Sequence, residues 1–155
     1  MAVQIAKRYD AMVTAISSEA NHAMLNELGA DHCVDYHKEE IAQSGQQFDI
    51  FFDVFGNQLF DTVKPILTSQ GTWVSTVLRP EVGEAVERTK GATGRKAKLV
   101  IVRSDSSDLA QVCHWAEEGL IKPVIQEVYP LSEIAKAHLQ QESKHTRGKL
   151  VITIP

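Results

Sequence analysis

The sequence predicts an α/β domain in which helices are wound onto a parallel sheet. Three observations carry that expectation. Short apolar, β-branched runs recur at about 12–16, 32–36, 48–55, 70–77 and 97–102, with helical patterns between them. One of these runs, "FDIFFDVFG", is nearly continuous in apolar residues, as a parallel strand buried on both faces must be. At 155 residues and 43% hydrophobic, the chain has the material for one core of ordinary size.

The elements follow in order. Ala2, Val3, Ile5 and Ala6 make a short apolar helical face that ends at Lys7, Arg8 and Tyr9, with no Ser, Thr, Asp or Asn in front to cap it. "MVTAI" is a strand. Ser18 caps a helix from Glu19 to Leu28, whose Met24, Leu25 and Leu28 share a face, and Gly29 stops it. "FDIFFDVFG" is a central strand and "QGTWVS" its successor. "GATGRK" at 91–96 has the composition of a phosphate loop, but it lies after a helix and before a strand, the reverse of a P-loop, and reads as a connection. "KAKLVIVRS" holds a strand, and "SSDLAQVCHWAEEG" is a helix with Leu109, Val112, Cys113 and Ala116 on one face, ended by Gly119. After Pro123 the strand "VIQEVY", the helix "LSEIAKAHLQQE" and the strand "GKLVITI" form an annex.

Charge and motif content exclude several functions. Sixteen basic and twenty acidic residues give a formal charge of -4, and no basic run suggests nucleic acid. No apolar stretch approaches the ~18 residues that span a bilayer, and no signal-peptide pattern opens the chain, so a cytoplasmic protein without membrane or nucleic-acid partners is expected. Two cysteines are too few for a disulfide framework and read as small buried hydrophobes. The pairs His32–Cys33 and Cys113–His114 diverge, as neighbours on a strand or helix do, so no metal site is expected. A G-x-S-x-G elbow is missing, and with it a hydrolase nucleophile.

Taken in order, "AVQIAKRYDAMVTAISS", "LGADHCVDY", "FDIFFDVFG", "QGTWVS", "GLIKPVIQEVYPLSEIAKAH" and "RGKLVITIP" resemble the C-terminal half of the quinone oxidoreductase branch of the medium-chain dehydrogenase/reductase superfamily. The resemblance covers essentially the whole chain. It implies an incomplete Rossmann-like, doubly wound parallel sheet over residues 1–122, lacking the first strand and its glycine-rich loop, and over 123–155 a strand-helix-strand remnant of the GroES-like catalytic domain. The missing strand sits mid-sheet in the 3-2-1-4-5-6 order. Its two neighbours, "MVTAI" and "FDIFFDV", are therefore expected to close on each other, or to receive "KLVITI" or a strand from a second chain.

The resemblance also implies site residues. Ser17 falls where the family meets the adenosine ribose or its phosphate, although "SSEAN" reads equally as a helix start. Tyr36 falls near the 2′-phosphate, Phe55 and Gly56 with Thr76 and Val77 near the nicotinamide-ribose half, and Lys144 where some relatives hold the phosphate. Asn21 replaces a lysine of some NADPH-using members. The cofactor implied is NADP, bound weakly or not at all by this chain, with no zinc, and no catalytic residue is assigned. The expected function is a fragment of an NAD(P)H-dependent quinone or enone oxidoreductase, inactive alone. The alternative is a catalytically silent remnant serving as a binding or dimerisation module. An exposed edge at 97–102, the sixth strand of the fold, predicts a homodimer.

Overall fold

Every strand pair among the described residues is parallel, as alternating strands and helices require. The structure, a computed structural model, describes residues 1–143 and 145–155. Its strands are β1 (Thr14–Ser17), β2 (His32–Asp35), β3 (Phe48–Asp53), β4 (Leu67–Ser75), β5 (Lys96–Leu99), β6 (Ile125–Pro130) and β7 (Lys149–Thr153). The α-helices are α1 (Ala2–Arg8), α2 (His22–Glu27), α3 (Phe60–Val63), α4 (Pro80–Thr89), α5 (Ser106–Glu117) and α6 (Ile134–Glu142). The chain forms two compact units, Tyr36–Ser104 and Met1–Asp35 with Asp105–Pro155.

In the first of these, the sheet order is β3-β4-β5. Phe51, Trp73 and Ala97 pair across the three strands and are buried, on the face that α3 and α4 cover with Phe60, Val63, Val82 and Ala85. Pro80 opens α4, where its missing N–H costs nothing. Thr89 closes the junction: its Oγ1 donates to Ala85 O at 2.9 Å and accepts from Ala97 N at 2.9 Å. "GATGRK" is indeed the connection from α4 to β5. The opposite sheet face corrects the expectation of a strand buried on both sides. Ile50 is 66% and Phe52 46% exposed, because β3 is an edge strand paired with β4 alone and no helix of its unit covers that side.

The other unit contains two separate two-stranded sheets, β1-β2 and β6-β7. Among the described residues β1 pairs with β2 and β7 with β6, so the expected pairing of "KLVITI" with "MVTAI" is not made within this unit. The helix expected from Glu19 to Leu28 is broken into a 3-10 turn over Glu19–Asn21 and the short α2. Ser18 precedes it without a side-chain cap bond, since its Oγ accepts instead from Asn21 Nδ2 at 3.2 Å. Asp105 supplies a cap the sequence reading missed, accepting from Ser107 N at 2.8 Å at the start of α5. The apolar face of α5 is not buried. Leu109 is 64% exposed, and Cys113 is exposed too, against the expectation of a buried thiol.

Two polar side chains tie this unit together. Gln4, buried on α1, clasps the backbone of Lys122: its Nε2 donates to Lys122 O at 3.0 Å, and its Oε1 accepts from Lys122 N at 2.7 Å. Asp31 accepts from Val13 N at 2.7 Å and from Lys7 Nζ at 2.9 Å, joining α1 to the start of β1. The Val13 amide first, and Lys7 second, hold the Asp31 carboxyl below its ordinary range. A depressed native value adds stability that is complete above the unfolded value of about 3.9 and fades as the pH falls through the native one. Asp31→Asn should therefore flatten the acid limb of a stability-against-pH curve below about pH 4 while leaving its slope near neutrality alone. An unchanged acid limb in urea melts would contradict this reading.

Candidate functional site

Parallel α/β sheets bind ligands beyond the carboxyl ends of their strands. The carboxyl ends of β3 and β4 lie side by side, with Asp53 and Ser75 as ladder partners. Both side chains are buried. Asp53 turns its carboxylate into the loop that follows it: Oδ1 accepts from Gly56 N at 2.8 Å and Oδ2 from Gln58 N at 3.2 Å. Ser75 does the same for its own loop, its Oγ accepting from Val77 N at 3.2 Å. The two loops are then tied across: Thr76 N donates to Asp53 O at 3.1 Å, and Thr76 Oγ1 donates to Val54 O at 2.9 Å.

Gly56 is required where it stands. Its φ is +66°, and a Cβ built on it would lie 2.6 Å from Val77 Cβ, so the two loops approach more closely than any side chain allows. Four of the expected site residues, Phe55, Gly56, Thr76 and Val77, are thus brought to one place. Asp53 and Ser75, which shape that place, were missed. The available signal was the acidic residue inside an otherwise apolar strand, which needs hydrogen-bond partners once buried.

The donor set there is informative. The N–H groups of Gly56, Thr76 and Val77 are already used within the loops, whereas the carbonyl oxygens of Phe55, Gly56 and Thr76 take no donor among the described residues. Such carbonyls suit hydrogen-bond donors, a carboxamide NH2 or ribose hydroxyls. Phe55 projects from the same loop, 76% exposed.

Ser17 belongs to the other unit. Ser17 ends β1 opposite Asp35 of β2, and its Oγ donates to Ser18 O at 3.0 Å. Tyr36 follows β2, is exposed, and packs its ring against His37 with centroids 4.3 Å apart. Lys144 lies outside the described residues. No group of three His, Cys, Asp or Glu side chains converges among the described residues, so zinc finds no ligand set in them. Among them, too, no helix is long and apolar enough to cross a membrane.

The parallel strands and the helices between them define a Rossmann-like α/β fold. The chain belongs to the zinc-binding dehydrogenase family, which it matches over residues 28–152. It is 28% identical to a human mitochondrial NAD(P)H oxidoreductase, over 99% of this chain and 44% of that protein. It is also 28% identical to a chloroplastic quinone-oxidoreductase of Triphysaria versicolor, over 97% of this chain and 47% of the relative. The quinone oxidoreductase of Coxiella burnetii superposes with a TM-score of 0.86 at 28% identity, over 99% of this chain and 48% of that structure. The chain spans about half the length of the curated relatives it matches.

Proposed function

We propose that this chain carries the nicotinamide-facing half of an NAD(P)H-dependent quinone or enone oxidoreductase. The observation that supports it is the pair of interlocked loops ending β3 and β4, whose unpaired carbonyls suit the carboxamide and ribose of a reduced nicotinamide. When bound, that cofactor supplies the hydride for reduction. This chain's own groups bind and orient: the carbonyls of Phe55, Gly56 and Thr76 accept, and the exposed Phe55 ring offers an apolar surface beside them. Ser17, Tyr36 and Lys144 are the proposed contacts on the adenosine side.

With the N–H groups of Gly56, Thr76 and Val77 used within the loops, affinity should be low. Titration with NADPH is expected to give a dissociation constant weaker than about 100 μM, with amide resonances moving at Phe55, Gly56, Thr76 and Val77. Micromolar affinity would overturn the expectation of weak binding, and shifts confined to other residues would overturn the placement. Quinone reduction by the isolated chain is expected to be absent.

A homodimer through the outer edge of β5 accompanies this reading. The regular strand is Lys96–Leu99, shorter than the expected 97–102, but Val100 N still donates to Ser75 O at 2.9 Å and extends the pairing by one residue. Val100, Ile101 and Val102 are exposed beyond it. Such an edge invites pairing with a copy of itself. Sedimentation at micromolar concentration should show a dimer that Val100→Lys dissociates. A monomer, or a dimer indifferent to that change, would contradict the assignment.

A further inference from the structure

We infer that Asp53 and Ser75 are positioning residues that lock the loops 54–58 and 76–78 into a single ligand-facing platform, an inference that rests on the nicotinamide reading of those loops. Each buried side chain sits at the last residue of its strand, and the two are neighbours across the ladder. Each fixes its own loop: Asp53 through Gly56 N and Gln58 N, Ser75 through Val77 N. Thr76 couples the loops to one another through Asp53 O and Val54 O, and Gly56 lies directly against Val77.

The carboxylate is suited to this task because it only accepts, and the two N–H groups aimed at it, that of Gly56 buried and that of Gln58 partly so, need an acceptor there. An asparagine keeps the shape but presents an NH2 to one of the two donors. The turn that carries Phe55 must then open, and through Thr76 and Val77 the second loop loses its register with the first. The carbonyls of Phe55, Gly56 and Thr76 keep their places only while both loops hold.

Amide hydrogen exchange and NADPH titration of the same samples test this. The set is the wild-type chain, Asp53→Asn, Ser75→Ala, and Val82→Ala, a core change in α4, outside both loops, that lowers stability. Asp53→Asn is expected to speed exchange at Gly56 and Gln58, and also at Thr76 and Val77 on the other loop, by about tenfold or more beyond Val82→Ala. Ser75→Ala should reciprocate at Gly56. Both changes should weaken NADPH by about tenfold, whereas Val82→Ala leaves its affinity unchanged. Acceleration confined to the substituted loop, or equal acceleration in Val82→Ala, would overturn the clamp. If wild-type binds no NADPH, the proposed function fails, while the exchange pattern still decides whether the two loops are one unit. Wild-type affinity in Asp53→Asn would refute the positioning role.

Discussion

Trp73→Ala is expected to cost about 3–5 kcal/mol, the usual range for truncating a buried aromatic, and so to remove most of the stability of the unit that holds the site. Trp73 is the largest fully buried side chain, at the centre of the only sheet in its unit. Its ring lies 6.1 Å from that of Phe60, and the strand that carries it pairs on both sides. The hole cannot collapse easily, since the neighbouring Phe60, Val63 and Val82 are anchored on helices packed against the same face. Urea melts followed by far-UV circular dichroism should lose roughly 1 M or more from the midpoint.

Trp73→Phe separates volume from polarity. The indole Nε1 is buried with no acceptor among the described residues, and an unpaired donor of that kind costs about 1–3 kcal/mol. Phenylalanine gives up part of the ring but removes that penalty, so its variant should stay within about 1.5 kcal/mol of wild type. A Trp73→Ala midpoint within error of wild type would show that the sheet does not depend on its central residue.

The fold class was legible because periodicity is local. The β-branched runs and glycine stops identify each strand by its own residues, and all five expected Rossmann strands occur with parallel neighbours. What periodicity cannot give is the environment of a face. "FDIFFDVFG" reads as doubly buried because its residues are apolar on both sides, yet Ile50 and Phe52 are exposed, since burial depends on which other elements arrive. The α5 stripe of Leu109 and Ala116 failed for the same reason. At the strand-end loops, the resemblance names Phe55, Gly56, Thr76 and Val77, whereas Asp53 and Ser75 act through hydrogen bonds to residues two to five positions on and lie across a ladder from each other. Gln4 shows the limit most plainly: a polar residue within an apolar helical stretch clasps backbone 118 positions away.

Gly148→Ala is the second large effect, and it acts through the backbone. Gly148 leads into β7 with φ at +96°, a region that L-residues enter only at a cost of about 1–2 kcal/mol. A Cβ there would be driven onto the carbonyl oxygen of Val124 and would stand 2.9 Å from Val124 Cβ. Neither group can retreat cheaply, because that same carbonyl accepts from Lys149 N at 2.8 Å in the first bond that aligns β7 with β6. Relieving the clash means breaking this bond, while keeping it means retaining the strained φ and the overlap. The combined penalty should reach about 2–4 kcal/mol, felt first as loss of β6-β7 pairing. Amide exchange at Val128 and Val151, which face each other in the ladder, should accelerate well before the β3-β4-β5 sheet responds. Gly45→Ala is the matched control: φ there is also positive, at +70°, but no atom lies within 4 Å of the added methyl, so only the backbone part of the cost remains. If the two alanine variants melt together, the Val124 carbonyl is not the obstacle, and the tight entry to β7 must be able to open without losing its strand.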